Sequence, residues 1–346
     1  MSKWFIAVVL MFTIAAPVNA QEWTAPTPPD PAMDLMPENI DTFWEGLQEI
    51  LQSALPQVMP SFSQCFGSCV SIFAVVMLLS VLQTLPGSSQ FSAGVAGACG
   101  IGLLLLGSSN SLIALGTTTV NTISEYGKSL IPVMSAALAG SGGMSTSAAL
   151  YAGTSFFDAI LCMLISGILV PLLYIFICIS IAKSALADES LQKLQEFLKW
   201  LMTWCLKLIL YAFTGYIGIT GVISGTADAA AVKATKLTIS GMVPVVGGIL
   251  SDASEAVLVS AGLVRSAAGI YGLLASIAIC ISPFLKIGLQ YLTLKATGAV
   301  CSIWGSKGCV ALIHDFSWCM GMLLAMTGTG CLMIMVSVVC FMRGVG

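Results

Sequence analysis

TADAAAVKATKLTISGMVPVVGGILSDASEAVL, Thr226–Leu258, is the stretch on which the fold turns. Long apolar segments flank it, yet it carries Asp228, Lys233, Lys236, Asp252 and Glu255. It is too rich in apolar groups for a disordered linker: Val232, Leu237, Ile239, Met242, Val243, Val245, Val246, Ile249 and Leu250 all lie within it. Gly241, Pro244, Gly247 and Gly248 interrupt any continuous helix near its middle. The pattern predicts two short helices around a Pro/Gly break, lying against or dipping into a bilayer. Irregular backbone at that depth is tolerated only when protein buries it or it lines a wet cavity. Gly247-Gly248 permits close approach or positive φ, Pro244 fixes φ and frees a carbonyl, and Asp252 can cap the helix that starts there.

Composition places the stretch in a membrane protein. Of 346 residues, 57% are hydrophobic and only 8% charged, and the mean hydropathy is +0.97. Runs of about twenty nearly uncharged apolar residues recur along the chain, the signature of membrane spans. A net charge of −3 gives no electrostatic footprint for nucleic acid. Most of the twelve cysteines sit in or beside apolar runs, where Cys acts as a small hydrophobe. Cys301 and Cys309 flank a Trp/Gly/Lys loop and would pair only if that loop faces an oxidising space.

Working outward, residues 1–20 read as a secretory signal peptide: Lys3, an apolar core, and small residues before a cleavage point after Ala20. Residues 21–60 hold seven acidic residues and no Lys or Arg, which places them outside the cytoplasm. A Pro-rich linker opens that segment, and an amphipathic helix follows from Asp41. Residues 61–346 form the helical transmembrane domain. Its spans are expected at Phe66–Leu85, Phe91–Leu106, Ser145–Ser184, Leu201–Ile223, Leu258–Ile281, Leu289–Trp304 and Trp318–Phe341. Leu112–Ala139 is amphipathic, either lining a wet cavity or lying in the interface. Lys183, Lys193, Lys199 and Lys207 mark the basic, inner side, and Pro283–Lys286 makes an inner turn. The expectation is an all-α polytopic membrane protein with about seven spans, broken or re-entrant segments and a cleaved N-terminal signal peptide.

Asp158 and Arg265 are the buried-charge candidates. A charge at mid-bilayer costs at least about 2.5–3.5 kcal/mol, so such groups pair or face water. Both lie at similar inferred depth, and the expectation is an intramembrane ion pair. Enzyme signatures are absent. His314 is the sole histidine, placed with Asp315 in an outer loop, so multi-His metal sites are excluded. There is no G-x-S-x-G, no G-x-x-x-x-G-K-[ST], and Cys65-x3-Cys69 lacks redox spacing. No catalytic residue, cofactor, metal or small-molecule ligand is expected.

The run VKATKLTISGMVPVVGGILSDASEAVL, followed by the Arg265 helix and ISPFLK, resembles stage III sporulation protein AE of endospore-forming bacteria. Lys236, the block Val243, Pro244, Val245, Val246, Gly247 and Gly248, then Ser251, Asp252 and Pro283 to Lys286 carry that resemblance. It extends more weakly from the first span to Arg343. The resemblance implies a non-enzymatic, multi-spanning subunit of the secretion-like channel complex between mother cell and forespore, needed for late forespore development. It implies the mother-cell-derived membrane as its site, and the bilayer and other stage III sporulation membrane proteins as its partners. From the residues alone, a self-contained secondary transporter is the alternative, because broken segments such as Leu130–Gly143 and Met242–Asp252 build substrate sites in transporters.

Overall fold

The structure is a computed structural model; it describes the backbone of residues 26–30, 32–37, 43–84, 90–186, 189–242 and 247–343. Side chains are described over 26–30, 32–37, 43–81, 94–186, 190–220 and 266–343. After a short 3-10 turn at Met33–Leu35 come seven helices: α1 Phe43–Thr84, α2 Gln90–Gly140, α3 Met144–Leu164, α4 Val170–Leu186, α5 Glu189–Met242, α6 Gly247–Cys301 and α7 Lys307–Arg343. A π-turn, Ile165–Leu169, joins α3 to α4. Pro171 is its local cause. A proline there has no N–H to give and its ring crowds the carbonyl four residues back, at Gly167. Widening the turn relieves both, and the Val170 N–H bonds the Ile165 carbonyl instead.

α2 runs antiparallel to the continuous α3–α4 rod, which the π-turn joins without reversing. Along the α2–α3–α4 hairpin Ser135 faces Ser147, Ser124 faces Asp158, Asn121 faces Cys162 and Asn110 faces Tyr174. Asn110 and Asn121 are eleven residues apart, as are Ser124 and Ser135, and three helical turns return each pair to one face. α6 and α7 are zipped the same way, Gly298 against Ile313 and His314, Gly288 against Leu324, and Gly269 against Met342. The turn between α2 and α3 rests on Gly142, whose φ of 96° admits no ordinary side chain.

Among the described residues, six helical stretches are long and apolar enough to cross a membrane: Phe43–Val81, Gly94–Gly140, Met144–Leu186, Ser190–Thr220, Ser266–Cys301 and Lys307–Arg343. Large apolar side chains on the outside, such as Leu103, Met163, Ile219, Leu292 and Leu332, are what a lipid-facing surface requires. The helices outrun the bilayer. α6 has 55 residues and is about 80 Å long, against about 30 Å of hydrocarbon.

The expected span borders change accordingly. Leu258–Ile281 and all of Leu289–Trp304 up to Cys301 lie on one helix, α6, and Pro283 stands inside it. A continuous helix cannot reverse direction, so the expected inner turn at Pro283–Lys286 is corrected to a mid-helix position. Seven expected crossings therefore become six candidates. Phe91–Leu106 and Leu112–Ala139 are likewise one helix, α2. The polar run between them does not break it, because Ser108 and Ser111 bond back to the Leu105 and Ser108 carbonyls. His314 and Asp315 are not in a loop; both are on α7.

Candidate functional site

Two layers of charge bound an apolar slab. Residues 159–182 contain no Asp, Glu, Lys or Arg and rise about 36 Å as helix, close to the thickness of a hydrocarbon core. Asp158 stands at one edge and Lys183 at the other.

At the Lys183 edge, α4, α5 and α7 share a buried ion network. Lys183 Nζ donates to Asp315 Oδ2 at 2.7 Å, and Lys199 Nζ donates to Asp315 Oδ1 at 3.0 Å. Lys183 also donates to Gln195 Oε1, whose Nε2 donates to Ser180 Oγ at 2.6 Å. Ser180 in turn donates to the Phe176 carbonyl at 2.8 Å. The Lys199 ammonium lies 5.3 Å from the Phe176 ring centroid and 5.5 Å from that of Trp318. Local sequence explains the placement: Lys183 is in the last turn of α4, where the helix dipole favours a cation. Asp315, Gln195 and Ser180 are buried. Ammoniums from α4 and α5 grip one carboxylate from α7, so the cluster ties three helices together. Beside it Phe197, Trp200 and Trp204 stack along exposed α5, at centroid spacings of 6.0 and 6.1 Å, where an interfacial aromatic belt belongs.

At the opposite edge Asp158 is buried and accepts a 2.7 Å hydrogen bond from Ser124 Oγ. Among the described residues Asp158 forms no salt bridge. The side chain of Arg265, its expected partner, lies outside the described residues. So do the side chains of Lys236, Val243, Pro244, Gly247, Gly248, Ser251 and Asp252.

Pro283 and Lys286 are described, and they line a cavity of about 180 Å³ between α2 and α6. Leu115, Thr118, Thr119 and Thr122 form its α2 wall; Ala278, Ile279 and Ser282 complete the α6 wall. Pro29, Asp30, Ala32 and Leu35, from the N-terminal segment, form the cover. Ala32 and Leu35 are buried there, and the Leu35 N–H bonds the Ala32 carbonyl at 3.1 Å. Of the two expectations for Leu112–Ala139, the cavity-lining one describes Thr118 and Thr122.

Asp315 and the Lys286 cavity were missed by sequence reasoning. The signal for Asp315 was available: no proline interrupts Lys307–Arg343, so one helix carries the acid into the bundle. All described cysteines are free, Cys301 and Cys309 included. No group of three or more His, Cys, Asp or Glu side chains is placed to hold a metal among the described residues.

Comparison with known proteins gives one consistent answer. A stretch of 245 residues, 70% of the chain, is 23% identical to stage III sporulation protein AE of Bacillus subtilis (strain 168) and covers 61% of that relative's length. No solved structure matches. The family model for stage III sporulation protein AE matches residues 34–344, nearly the whole described bundle, and the chain belongs to that family of sporulation membrane proteins.

Proposed function

We propose that this chain is a non-enzymatic integral membrane subunit of the channel complex between mother cell and forespore, a secretion-like assembly needed for late forespore development. The observation that carries the reading is a family match over residues 34–344 on a chain with six long apolar helices. The expected site is the mother-cell-derived membrane around the forespore, and the expected partners are the other stage III sporulation membrane proteins. Residues 1–20 act as a cleaved signal peptide and 61–346 as the membrane domain, which residues 43–60 join through the first candidate span, Phe43–Val81. The end of the bundle bearing Lys183, Lys193, Lys199 and Lys307 faces the cytoplasm. Six crossings then put both chain ends outside, Arg343 included. The break expected at Val243–Gly248, lying outside or re-entering from that side, falls at residues 243–246, outside the described residues.

Deleting the gene tests the role: development is expected to arrest after engulfment, and normal spores would overturn it. The full chain is expected to co-purify with other membrane proteins and to give no solute uptake when reconstituted alone. A self-contained transporter is the second reading, favoured by the cavity that Lys286 lines; uptake by the chain alone, lost on altering Lys286, would establish it.

A further inference from the structure

The cavity between α2 and α6 gathers polar groups that bond no other described residue, with Thr118 exposed and Thr122 and Lys286 half-buried. Among the described residues, the hydroxyls of Thr118, Thr122 and Ser282 and the ammonium of Lys286 have no hydrogen-bonding or ionic partner. Neighbouring hydroxyls on the same helices behave differently. Thr117, Thr119 and Ser276 bond back to the Ile113, Leu115 and Gly272 carbonyls at 2.7–2.8 Å.

Depth makes the unpaired lysine costly. α6 and α7 pair antiparallel, with Gly298 beside His314, so Lys286 stands about 16 Å further into the slab than Asp315. An ammonium there needs an opposite charge or water, at a cost otherwise of at least about 2.5–3.5 kcal/mol. Asp30 lines the same cavity, yet it comes no closer to Lys286 than the 4.0 Å ion-pair limit. The cover is also unusual: residues 26–30 and 32–37 are largely irregular backbone lying against the middle of two apolar helices. Such backbone fits at that depth only against protein or a wet cavity.

We propose that this cavity is a binding site for a small oxyanion, a carboxylate or phosphate group, whose charge is met by Lys286 and whose oxygens accept from Thr118, Thr122 and Ser282. Asp30, on the cover, is a tethered carboxylate sharing the space and opposing a free anion. A volume of 180 Å³ admits one such group with a few waters, each taking about 30 Å³. A cation would be repelled by Lys286, and a neutral solute would leave the ammonium uncompensated. The site serves a channel subunit and a transporter equally, so its test stands apart from that choice.

The test uses the full chain in phosphatidylcholine nanodiscs, titrated calorimetrically with inorganic phosphate and, separately, acetate. Saturable binding is expected, weakened about tenfold or more by Lys286→Met or Thr122→Val, retained by Lys286→Arg, and strengthened at least about twofold by Asp30→Asn. A parallel arm identifies the source of the oxyanion. In nanodiscs containing phosphatidylglycerol, native mass spectrometry reads retained lipid, and Lys286-dependent retention assigns the site to a headgroup. Size-exclusion profiles establish that each variant is folded. The proposal is overturned if neither arm shows binding, if folded Lys286→Met binds as the unaltered chain does, or if Asp30→Asn leaves affinity unchanged or lower.

Discussion

The Lys183–Asp315–Lys199 cluster and the Lys286 cavity both place lysine in apolar surroundings, and they treat it in opposite ways. In the cluster every charge is spoken for: two ammoniums share one carboxylate, and Gln195 and Ser180 close the chain of hydrogen bonds. In the cavity Lys286 has hydroxyls for neighbours and no counter-charge in contact. The difference separates cohesion from readiness. A satisfied buried charge fixes how helices meet; an unsatisfied one leaves room for something else to arrive.

That contrast predicts graded effects. Asp315→Ala leaves two ammoniums facing each other and is expected to cost about 3–5 kcal/mol in thermal or denaturant unfolding of the detergent-solubilised chain. Replacing all three charges together by Met and Leu is expected to restore much of that loss. If the triple replacement is as damaging as the single one, the cluster does more than hold helices.

Packing gives the next effect. A Cβ on Gly153 would lie 1.8 Å from the Tyr216 ring, whose hydroxyl donates to the Ala149 carbonyl at 2.8 Å. Gly153→Ala must displace that ring and is expected to cost about 2–3 kcal/mol, read as a lower unfolding midpoint. Ser124→Ala removes the one hydrogen bond shown to Asp158 and is expected to cost about 1–2 kcal/mol by the same measurement. Lys286→Met stands at the far end: it breaks no contact and removes an uncompensated ammonium, so the unfolding midpoint is expected to stay unchanged or rise. A loss as large as that of Asp315→Ala would erase the contrast between the two regions.

Much of the architecture was legible in the sequence. Long uncharged runs announced an all-helical membrane protein, and VPVVGG with Ser251-Asp252 pointed to the family. Three things were not legible, each for a physical reason. Proline read as a turn signal at Pro283, yet inside a bundle a missing N–H can be tolerated and α6 runs through. Ser108-Ser-Asn-Ser111 read as the end of the span Phe91–Leu106, yet serine hydroxyls satisfy themselves on the preceding turn. Asp315 read as part of an outer loop; its helix was there to be read, but its partners Lys183 and Lys199 are 132 and 116 residues away. Local pattern cannot report a partner so distant. The same limit hid the cavity, whose walls and cover come from three separate parts of the chain.

The widened turn at Ile165–Leu169 works as a phase adjuster within the uncharged run 159–182. One surplus residue there swings everything on its far side by about 100° around the rod. Below it Tyr174 must aim at Asn110, and above it Asp158 must aim at Ser124. Removing a single residue from the turn would restore a regular helix and, in doing so, leave one of those two side chains pointing at lipid.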